Sequence, residues 1–586
     1  VTSVIDTTLE SSILTLDSVS KSFFSTGGEV SALTDVSLQV KAGEIVALIG
    51  PSGCGKTTIM RMCAGFDFPT EGTALFHGGQ IMDVNTGVGY LTQEADLFPW
   101  MTLRANVAFP LMMLGVPKQE CDERVAAYLK LVGLSGFENH YPHQLSGGMR
   151  QRGALARTMI YEPDLILMDE PFASLDMPTR LMLHDELLRL LSERPKTVML
   201  VTHDITEAIA LADRVVIVGK RPGRIKTIID VDLPRPRTSS GVVSMDGFGE
   251  IYNKVWTSLH SEFADPAMEE ATQHATLPPA LPATMAERAK ARRKKIGPAA
   301  PGPGSPPAAV SKPRSRWRRY ADSAVAVGAA RVLFLAILVG LWQILSVTKV
   351  LSPLLFSDPS NVFIAFWHLI QGQPAFGKTI YTDIATTLEE MAIGYVIGAA
   401  LGILVGIFLA RVRWLSRVFE PLILAAYSVP KVALAPVFIV LLGIGITSKI
   451  AIVAMELFFI VFFNTFIGVR DVREDFIRQA QINGAGPFSV LTRIVLPGAL
   501  PSIMTGLKLG VPFAMVGAVI GEFIAASSGL GWFVVYSANN FDSQDLFAGI
   551  IVLVIVVWVL SQAMQVIERI AIPWSSRKRE SRTPGV

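Results

Sequence analysis

The sequence predicts two unlike halves in one chain: an α/β domain built around a phosphate-binding loop, followed by an all-α membrane domain of about six transmembrane helices. Two observations predict this division. The first is local. Gly50-Pro51-Ser52-Gly53-Cys54-Gly55-Lys56-Thr57 has the full GxxxxGKT spacing, and Thr58 follows it. Glycines at these positions turn backbone N–H groups toward phosphate oxygens, Lys56 reaches the β- and γ-phosphates, and the Thr57 hydroxyl ligates Mg²⁺. The flanks suit such a loop: residues 44–49 are an apolar strand and 57–63 carry no helix breaker. A glycine-rich turn without function would not need this context. The expected ligands are therefore ATP and Mg²⁺.

The second observation is compositional. Half of the 586 residues are hydrophobic, 17% are charged, and the mean hydropathy is +0.43. That is too apolar for an ordinary soluble chain of this length. The apolar excess is concentrated after about residue 324, in runs near the roughly 20 residues that cross a bilayer. Six spans are expected, at 324–347, 386–410, 418–446, 450–469, 502–525 and 547–567, the third interrupted by Pro430 and Pro436.

Basic residues set the expected orientation. Arg314, Arg316, Arg318 and Arg319 precede the first span; Arg411, Arg413 and Arg417 follow the second; Arg470, Arg473, Arg478 and Arg493 follow the fourth; Arg577, Lys578 and Arg579 follow the sixth. If the spans alternate, all four groups share one side, which the positive-inside bias makes cytoplasmic. Each group alone also fits a solvated face or a lipid-headgroup contact. An even number of spans places both termini on the cytoplasmic side, where ATP is. The expected location is a membrane, with the ATP-binding half on its cytoplasmic side.

The domain organisation follows: an ATP-binding domain at 12–270, a linker at 271–313 and a six-span membrane domain at 314–576. The linker pairs Lys290, Arg292, Arg293, Lys294 and Lys295 with a Pro/Gly/Ala-rich run that cannot build a core. Its charges are read as solvated, with attraction to anionic lipid as the alternative. A formal net charge of +2 gives no electrostatic argument for nucleic acid. Cys54, Cys63 and Cys121 are too few and too unevenly spaced for a disulfide framework or a zinc site, which fits a reducing compartment. No basic, apolar and small-residue succession of a signal peptide is read at the start of the sequence.

Further chemistry lies along the first half. Leu165-Ile166-Leu167-Met168-Asp169-Glu170 is an apolar strand ending in two carboxylates. Asp169 is placed to hold Mg²⁺ through water and Glu170 to polarise the attacking water. His203, after the apolar strand ending at Val201, is placed to reach the γ-phosphate. Phosphoryl transfer asks for this kind of positioning and charge neutralisation. Taken singly, the two acids also fit a strand-end cap and the histidine a structural role.

Leu145-Ser146-Gly147-Gly148-Met149-Arg150-Gln151, together with the phosphate loop, resembles the signature of the ABC transporter ATPases. The resemblance implies an ABC-type fold and roles for further residues. Phe23 is similar to the aromatic that stacks on adenine, Gln93 to the glutamine that senses Mg²⁺ and touches the membrane domain, and Ser174-Leu175-Asp176 to the D-loop. Glu170, His203 and Gln93 are then the catalytic group, and Thr57, Gln93 and Asp169 the metal group. It also implies that two ATPase domains sandwich two ATP molecules, so that Leu145, Ser146, Gly147, Gly148 and Gln151 act in trans on the partner's nucleotide.

The membrane half has its own marker. Gly484, followed after nine residues by Ile494-Val495-Leu496-Pro497, has the spacing of the coupling loop in permeases of bacterial ABC importers, here at about 474–497. The family's leading Glu-Ala-Ala corresponds to Arg478-Gln479-Ala480, so the acidic residue is missing. The fold expected is therefore type I importer-like. Leu97-Phe98-Pro99-Trp100, residues 428–436 and residues 521–531 narrow the resemblance to the nitrate, sulfonate, taurine and bicarbonate importers, whose ATPase and permease are commonly separate chains. One ATPase and one six-span permease make half a transporter. A homodimer is the simplest completion, pairing with another half-transporter being the alternative, and the resemblance further implies a separate extracytoplasmic solute-binding protein. Glu456 and Asn464 are candidates for the translocation path, since polar groups in spans are costly unless they face a cavity or a partner. Lys508 and Glu522 fit a headgroup-facing or interhelical pair equally well. A membrane-bound ABC ATPase with a sensory, regulatory or export role is the alternative function.

Overall fold

The computed structural model describes residues 12–25, 28–172, 177–193, 196–238, 241–263, 324–350 and 356–574. Ser174, Leu175 and Asp176, the 271–313 linker, the arginines before the first span and Arg577, Lys578 and Arg579 lie outside the described residues. The chain divides into two compact units. One comprises Val1–Glu269 with Thr465–Met504 and Glu568–Val586; the other comprises Glu270–Asn464 and Thr505–Ile567.

In the first unit, two sheets form the frame. β1 (Ser12–Ser25), β2 (Gly28–Lys41), β4 (Glu71–Phe76) and β5 (Gly79–Gln80) make an antiparallel sheet in the order β2-β1-β4-β5. The second sheet runs β10-β9-β3-β8-β7-β6, from β10 (Ile225–Asp230), β9 (Arg214–Val218), β3 (Ile45–Ile49), β8 (Thr197–Val201), β7 (Leu165–Asp169) and β6 (Val88–Leu91). All its neighbours are parallel except β10 with β9. The parallel strands read as near-continuous apolar runs because they are covered on both faces.

Alternation along each strand feeds two separate cores. Ile45, Ala47 and Ile49 of β3 pack with Ile166 and Met168 of β7, Val198 and Leu200 of β8 and the helices of one face. Val46 and Leu48, with Leu165, Leu167, Met199 and Val201, pack with the antiparallel sheet and α1 (Lys56–Cys63) on the other. Period-two side-chain direction makes this division automatic once the sheet is central. The register aligns Leu48 with Val201 and Val201 with Asp169, so the loops after β3, β7 and β8 leave from one edge of the sheet. Ligands of open parallel sheets bind at that carboxyl edge.

Five helices of the described residues are long and apolar enough to cross a membrane, or six if one bent pair counts as a single span. They are Ala324–Val347, Ile380–Arg411, Ile446–Arg470, the run ending in Leu496–Ala525, and Ser543–Ala571. The third expected span is the bent pair. Its helix Arg413–Ser428 stops before Pro430, a 3-10 turn covers Lys431–Leu434, and Ala435–Leu442 resumes after an 86° change of direction. Proline has no N–H to continue the ladder and moves the residue before it out of the helical region, which accounts for the break at Val429–Pro430. Two shorter helices, Pro359–Ile370 and Leu530–Asn539, were not expected, both being too short to cross.

In the second unit a glycine seam joins the second and fourth membrane helices. A Cβ added at Gly394 would lie 2.5 Å from Val453 Cβ, one at Gly398 2.5 Å from the Ala454 carbonyl oxygen, and one at Gly402 2.9 Å from the Phe458 carbonyl oxygen. Small residues four apart let helix backbones approach this closely.

Candidate functional site

The phosphate loop leaves β3 at Gly50 and enters α1 at Lys56. Gly53 and Gly55 have φ of +78° and +97°, a region that side chains disfavour, and a Cβ at Gly55 would meet Leu33 Cδ2 at 2.4 Å. Gly50, Pro51, Ser52, Gly53, Cys54 and Gly55 therefore form a ring whose centre holds the Lys56 ammonium. Its Nζ donates to the Gly50 carbonyl at 2.7 Å and the Pro51 carbonyl at 3.0 Å, and Cys54 Sγ lies 3.7 Å away. Thr57 and Thr58 open α1 beside it.

Asp169 ends β7 and is buried. Burial pushes its carboxyl above the ordinary carboxylate range, Glu170 adds to this, and hydrogen bonds from Thr57 and Tyr90 with the Lys56 charge oppose it. Tyr90 was not anticipated; it sits on β6 and its contact with Asp169 arises from the pairing of β6 with β7. The Thr57 hydroxyl and the Asp169 carboxylate are hard oxygen donors at one point, the donor set that Mg²⁺ takes.

Glu170 follows with φ of +46°, a left-handed conformation for a residue with a side chain. Its backbone N–H still bonds the Val201 carbonyl. Gln93 Nε2 donates to Glu170 Oε2 at 3.2 Å, and His203 Nδ1 lies 3.8 Å from the same oxygen. Glu170, Gln93 and His203, separate in sequence, thus converge on one carboxylate oxygen at the carboxyl edge. Non-glycine residues in sparsely populated backbone regions occur where a side chain must be aimed.

The contacts of this cluster do not include Phe23 or residues 145–151. Phe23 stands half-exposed on β1, with Lys21 Nζ 5.2 Å from its ring centroid. Ser146 is the N-cap of α4 (Gly147–Met159), its hydroxyl accepting from Met149 N–H, and the first turn carries no acidic residue. Ser146 and Gly147 are exposed, so the positive end of the helix is open to solvent. Leu145 and Gln151 are buried beneath it.

The expected coupling segment belongs to the same compact unit. Its helix Glu474–Ile482 presents Phe476, Gln479, Ala480 and Ile482 inward, and Ile482, fully buried, joins the core of β3, β7 and α1. Gly484 turns the chain with φ of +82°, Pro487–Val490 and a π-helical turn Leu491–Val495 follow, and Leu496 and Pro497 open the next helix. The seat is the loop after Gln93. Trp100 Nε1 donates to the Arg493 carbonyl at 3.0 Å, and Phe98 and Trp100 stand edge-on to Phe476 at 6.0 and 5.6 Å. Arg473 meets Glu94 at 3.3 Å and Asp96 at 3.1 Å. Arg478, in the place of the family's glutamate, bonds Glu474 at 2.9 Å and lies 5.6 Å over the Phe66 ring. A cavity of about 270 Å³ runs from Thr57, Gln93 and Asp169 to Arg473, Arg478 and Gln479.

In the second unit, Glu456 is buried and its Oε2 lies 3.8 Å from Lys431 Nζ, which caps the bend of the broken span over Tyr427. Asn464 Nδ2 bonds the Ile460 carbonyl of its own helix at 2.8 Å. Glu522 proves to be interhelical: it accepts from Thr387 Oγ1 at 2.6 Å and from the Gly531 N–H. Asp383 accepts from Gly529 N–H at 2.8 Å, and Glu390 pairs with Lys449 at 2.6 Å with both side chains buried. Asp383, Thr387, Glu390 and Lys449 were missed. Acidic and basic residues inside or at the ends of apolar runs are the signal that would have found Asp383, Glu390 and Lys449; Thr387 carries no such signal.

Residues 33–173 match the family described as ABC transporter, and residues 398–576 match the binding-protein-dependent transport system inner membrane component. An uncharacterised ABC transporter ATP-binding protein of Methanocaldococcus jannaschii is 45% identical over 240 residues, 41% of this chain and 90% of the relative. An aliphatic sulfonates import ATP-binding protein of Bacillus cereus is 38% identical over 242 residues, 41% of this chain and 94% of its own length. A taurine import ATP-binding protein of Roseobacter denitrificans is 46% identical over 199 residues, 34% of this chain and 74% of its own. With its phosphate loop, signature helix and apolar helices in one polypeptide, the chain belongs to the ABC transporter family, an ATP-binding part fused to a membrane component.

Proposed function

We propose that this ATP-hydrolysing transporter imports a small solute, such as a sulfonate, taurine or nitrate, across the bacterial inner membrane as one half of a homodimer. The observation that carries the reading is the seating of residues 474–497 against the loop after Gln93, with Ile482 in the ATPase core. The names of the sulfonate and taurine import relatives support the direction and the solute class.

In this reading the domains divide at 12–270, 271–313 and 314–576. Gly50 to Thr58 cradle the phosphates, Phe23 stacks on adenine, and Thr57, Gln93 and Asp169 hold Mg²⁺, whose charge would neutralise the phosphate oxygens. Glu170 orients the attacking water, and Gln93 and His203 hold that carboxylate in place. Residues 145–151 complete the partner's nucleotide site, which suits the open N-terminus of α4. ATP closes the two ATPase domains and the coupling segments carry the motion to the membrane helices. Glu456 and Asn464 belong to the path side of the membrane helices. A separate extracytoplasmic protein delivers the solute, and the ATPase domain and both ends of the membrane domain face the cytoplasm.

The test is ATP hydrolysis by the purified protein in lipid vesicles, with candidate binding proteins loaded with a sulfonate, taurine or nitrate. Stimulation by one loaded protein, absent in Glu170→Gln, is expected. High hydrolysis indifferent to every loaded protein would favour a regulatory or export role.

A further inference from the structure

We propose that Asp96 is a positioning residue that ties the nucleotide-sensing loop and the signature helix to the coupling segment, with Arg473 as its partner. The proposal rests on the reading of 474–497 as a coupling segment. Asp96 lies three residues after Gln93 and is only 4% exposed. Its Oδ2 accepts from Thr92 Oγ1 at 2.8 Å, beside Gln93. Its backbone carbonyl accepts from Arg157 Nη1 at 2.7 Å. Arg157 is itself buried on α4, the helix that Ser146 opens, with its guanidinium 5.3 Å over the Phe98 ring. The remaining carboxylate oxygen, Oδ1, faces Arg473 Nη2 at 3.1 Å. One residue therefore touches the exit of β6, the helix that carries the signature and the segment that leads to the membrane helices.

The contacts of Arg473 differ in weight. Glu94 and Asp475 are well exposed, and surface pairs contribute little. Asp96 is buried, and a buried carboxylate deprived of its partner is strongly unfavourable. Burial already pushes its carboxyl upward against the pull of Thr92, Arg473 and Arg157. Among the acids that Arg473 meets, Asp96 is thus the one whose carboxylate would be left buried and uncompensated if the contact were lost. Arg473, at the start of the coupling helix, meets the acids Glu94 and Asp96 of the ATPase loop, while Arg478 pairs within its own helix with Glu474.

The test uses the full chain in lipid nanodiscs with hydrolysis blocked by Glu170→Gln. Hydrogen exchange of peptides covering 474–497 is compared with and without Mg-ATP, and ATP affinity is measured on the same samples. Asp96→Asn and Arg473→Gln should each cut the ATP-induced change by about fivefold or more, the low end of measured site-to-site coupling, without loss of ATP affinity. Arg473→Lys should retain most of the response, and Asp96→Asn with Arg473→Gln together should be no worse than either alone. Arg473 is half-exposed, so its variants test the idea even where Asp96→Asn folds poorly. A full response in Arg473→Gln, or losses that multiply in the double variant, would overturn the proposal. A parent that binds ATP without any change in 474–497 would remove the coupling reading itself, and this inference with it.

Discussion

Gly398→Ala adds a single carbon where the backbones of two membrane helices touch. That carbon would lie 2.5 Å from the Ala454 carbonyl oxygen, 3.0 Å from its Cα and 3.1 Å from its carbonyl carbon. Ordinary contacts between such atoms are about 3.5–4.0 Å, so the helices must separate by about 1 Å. Every atom in the way is backbone, and no side chain can rotate to make room. Overpacking of this kind costs about 1–3 kcal/mol, while the helix preference of alanine over glycine returns about 1 kcal/mol. The control is Gly340→Ala in the first membrane helix, where nothing lies within 4 Å of the added carbon. There only the helix term operates, a gain of about 0.5–1 kcal/mol. Gly402→Ala, whose carbon would lie 2.9 Å from the Phe458 carbonyl oxygen, should behave like Gly398→Ala. Equilibrium unfolding in mixed micelles, followed by tryptophan fluorescence, reads the order directly. If Gly398→Ala is as stable as Gly340→Ala, the close approach of the two helices is not what the seam provides.

Three further outcomes are expected. Lys56→Ala should lose productive ATP binding, whereas Glu170→Gln should bind ATP and fall in turnover by about 10²–10³, the loss typical of a removed transition-state contact, as read by nucleotide binding and phosphate release. Cys54 is buried beside Lys56 with its thiol pushed up by burial. At neutral pH it is therefore less ionised than a free thiol, so maleimide labelling should be slow, accelerate with rising pH and be blocked by ATP, and the labelled protein should be inactive; rapid labelling at pH 7 would contradict the burial. Lys449→Met leaves Glu390 buried without its ion-pair partner and should destabilise the membrane domain by about 3–5 kcal/mol, with Glu390→Gln in the same chain recovering much of the loss; detergent unfolding of the single and double variants measures both.

The phosphate loop was legible because its chemistry is local: eight adjacent residues specify the ring, and the strand before it is marked by five apolar residues that the structure buries completely. The membrane helices were legible by length: the first matches its expected bounds, and the other long ones run a few residues beyond theirs because polar ends such as Asp383 and Lys449 are still helical. What escaped depends on distant pairing. Tyr90 reaches Asp169 only because β6 pairs with β7, and Asp96 meets Arg473 across 377 positions of sequence. The broken third span was half visible in Pro430 and Pro436, but the 86° turn requires the backbone itself. Pro359–Ile370 has the apolar character of a span at twelve residues, below the length on which sequence reading relies.

The buried charges of the membrane domain also bear on how the chain is made. The second membrane helix carries Glu390 and Asp383, and it is synthesised 59 residues before Lys449 and 146 residues before Gly529, the groups that satisfy them. Asp383 stands in the first turn of this helix and Glu390 deeper within it. A charge deep in a span opposes insertion by about 2.5–3.5 kcal/mol when it is alone, so this helix is poorly suited to lipid until Lys449 arrives. Its settling is therefore tied to the emergence of the fourth membrane helix and of Gly529 beyond the fifth. A chain that stopped short of Lys449 would leave both acids without these partners, giving quality control a reason to remove it.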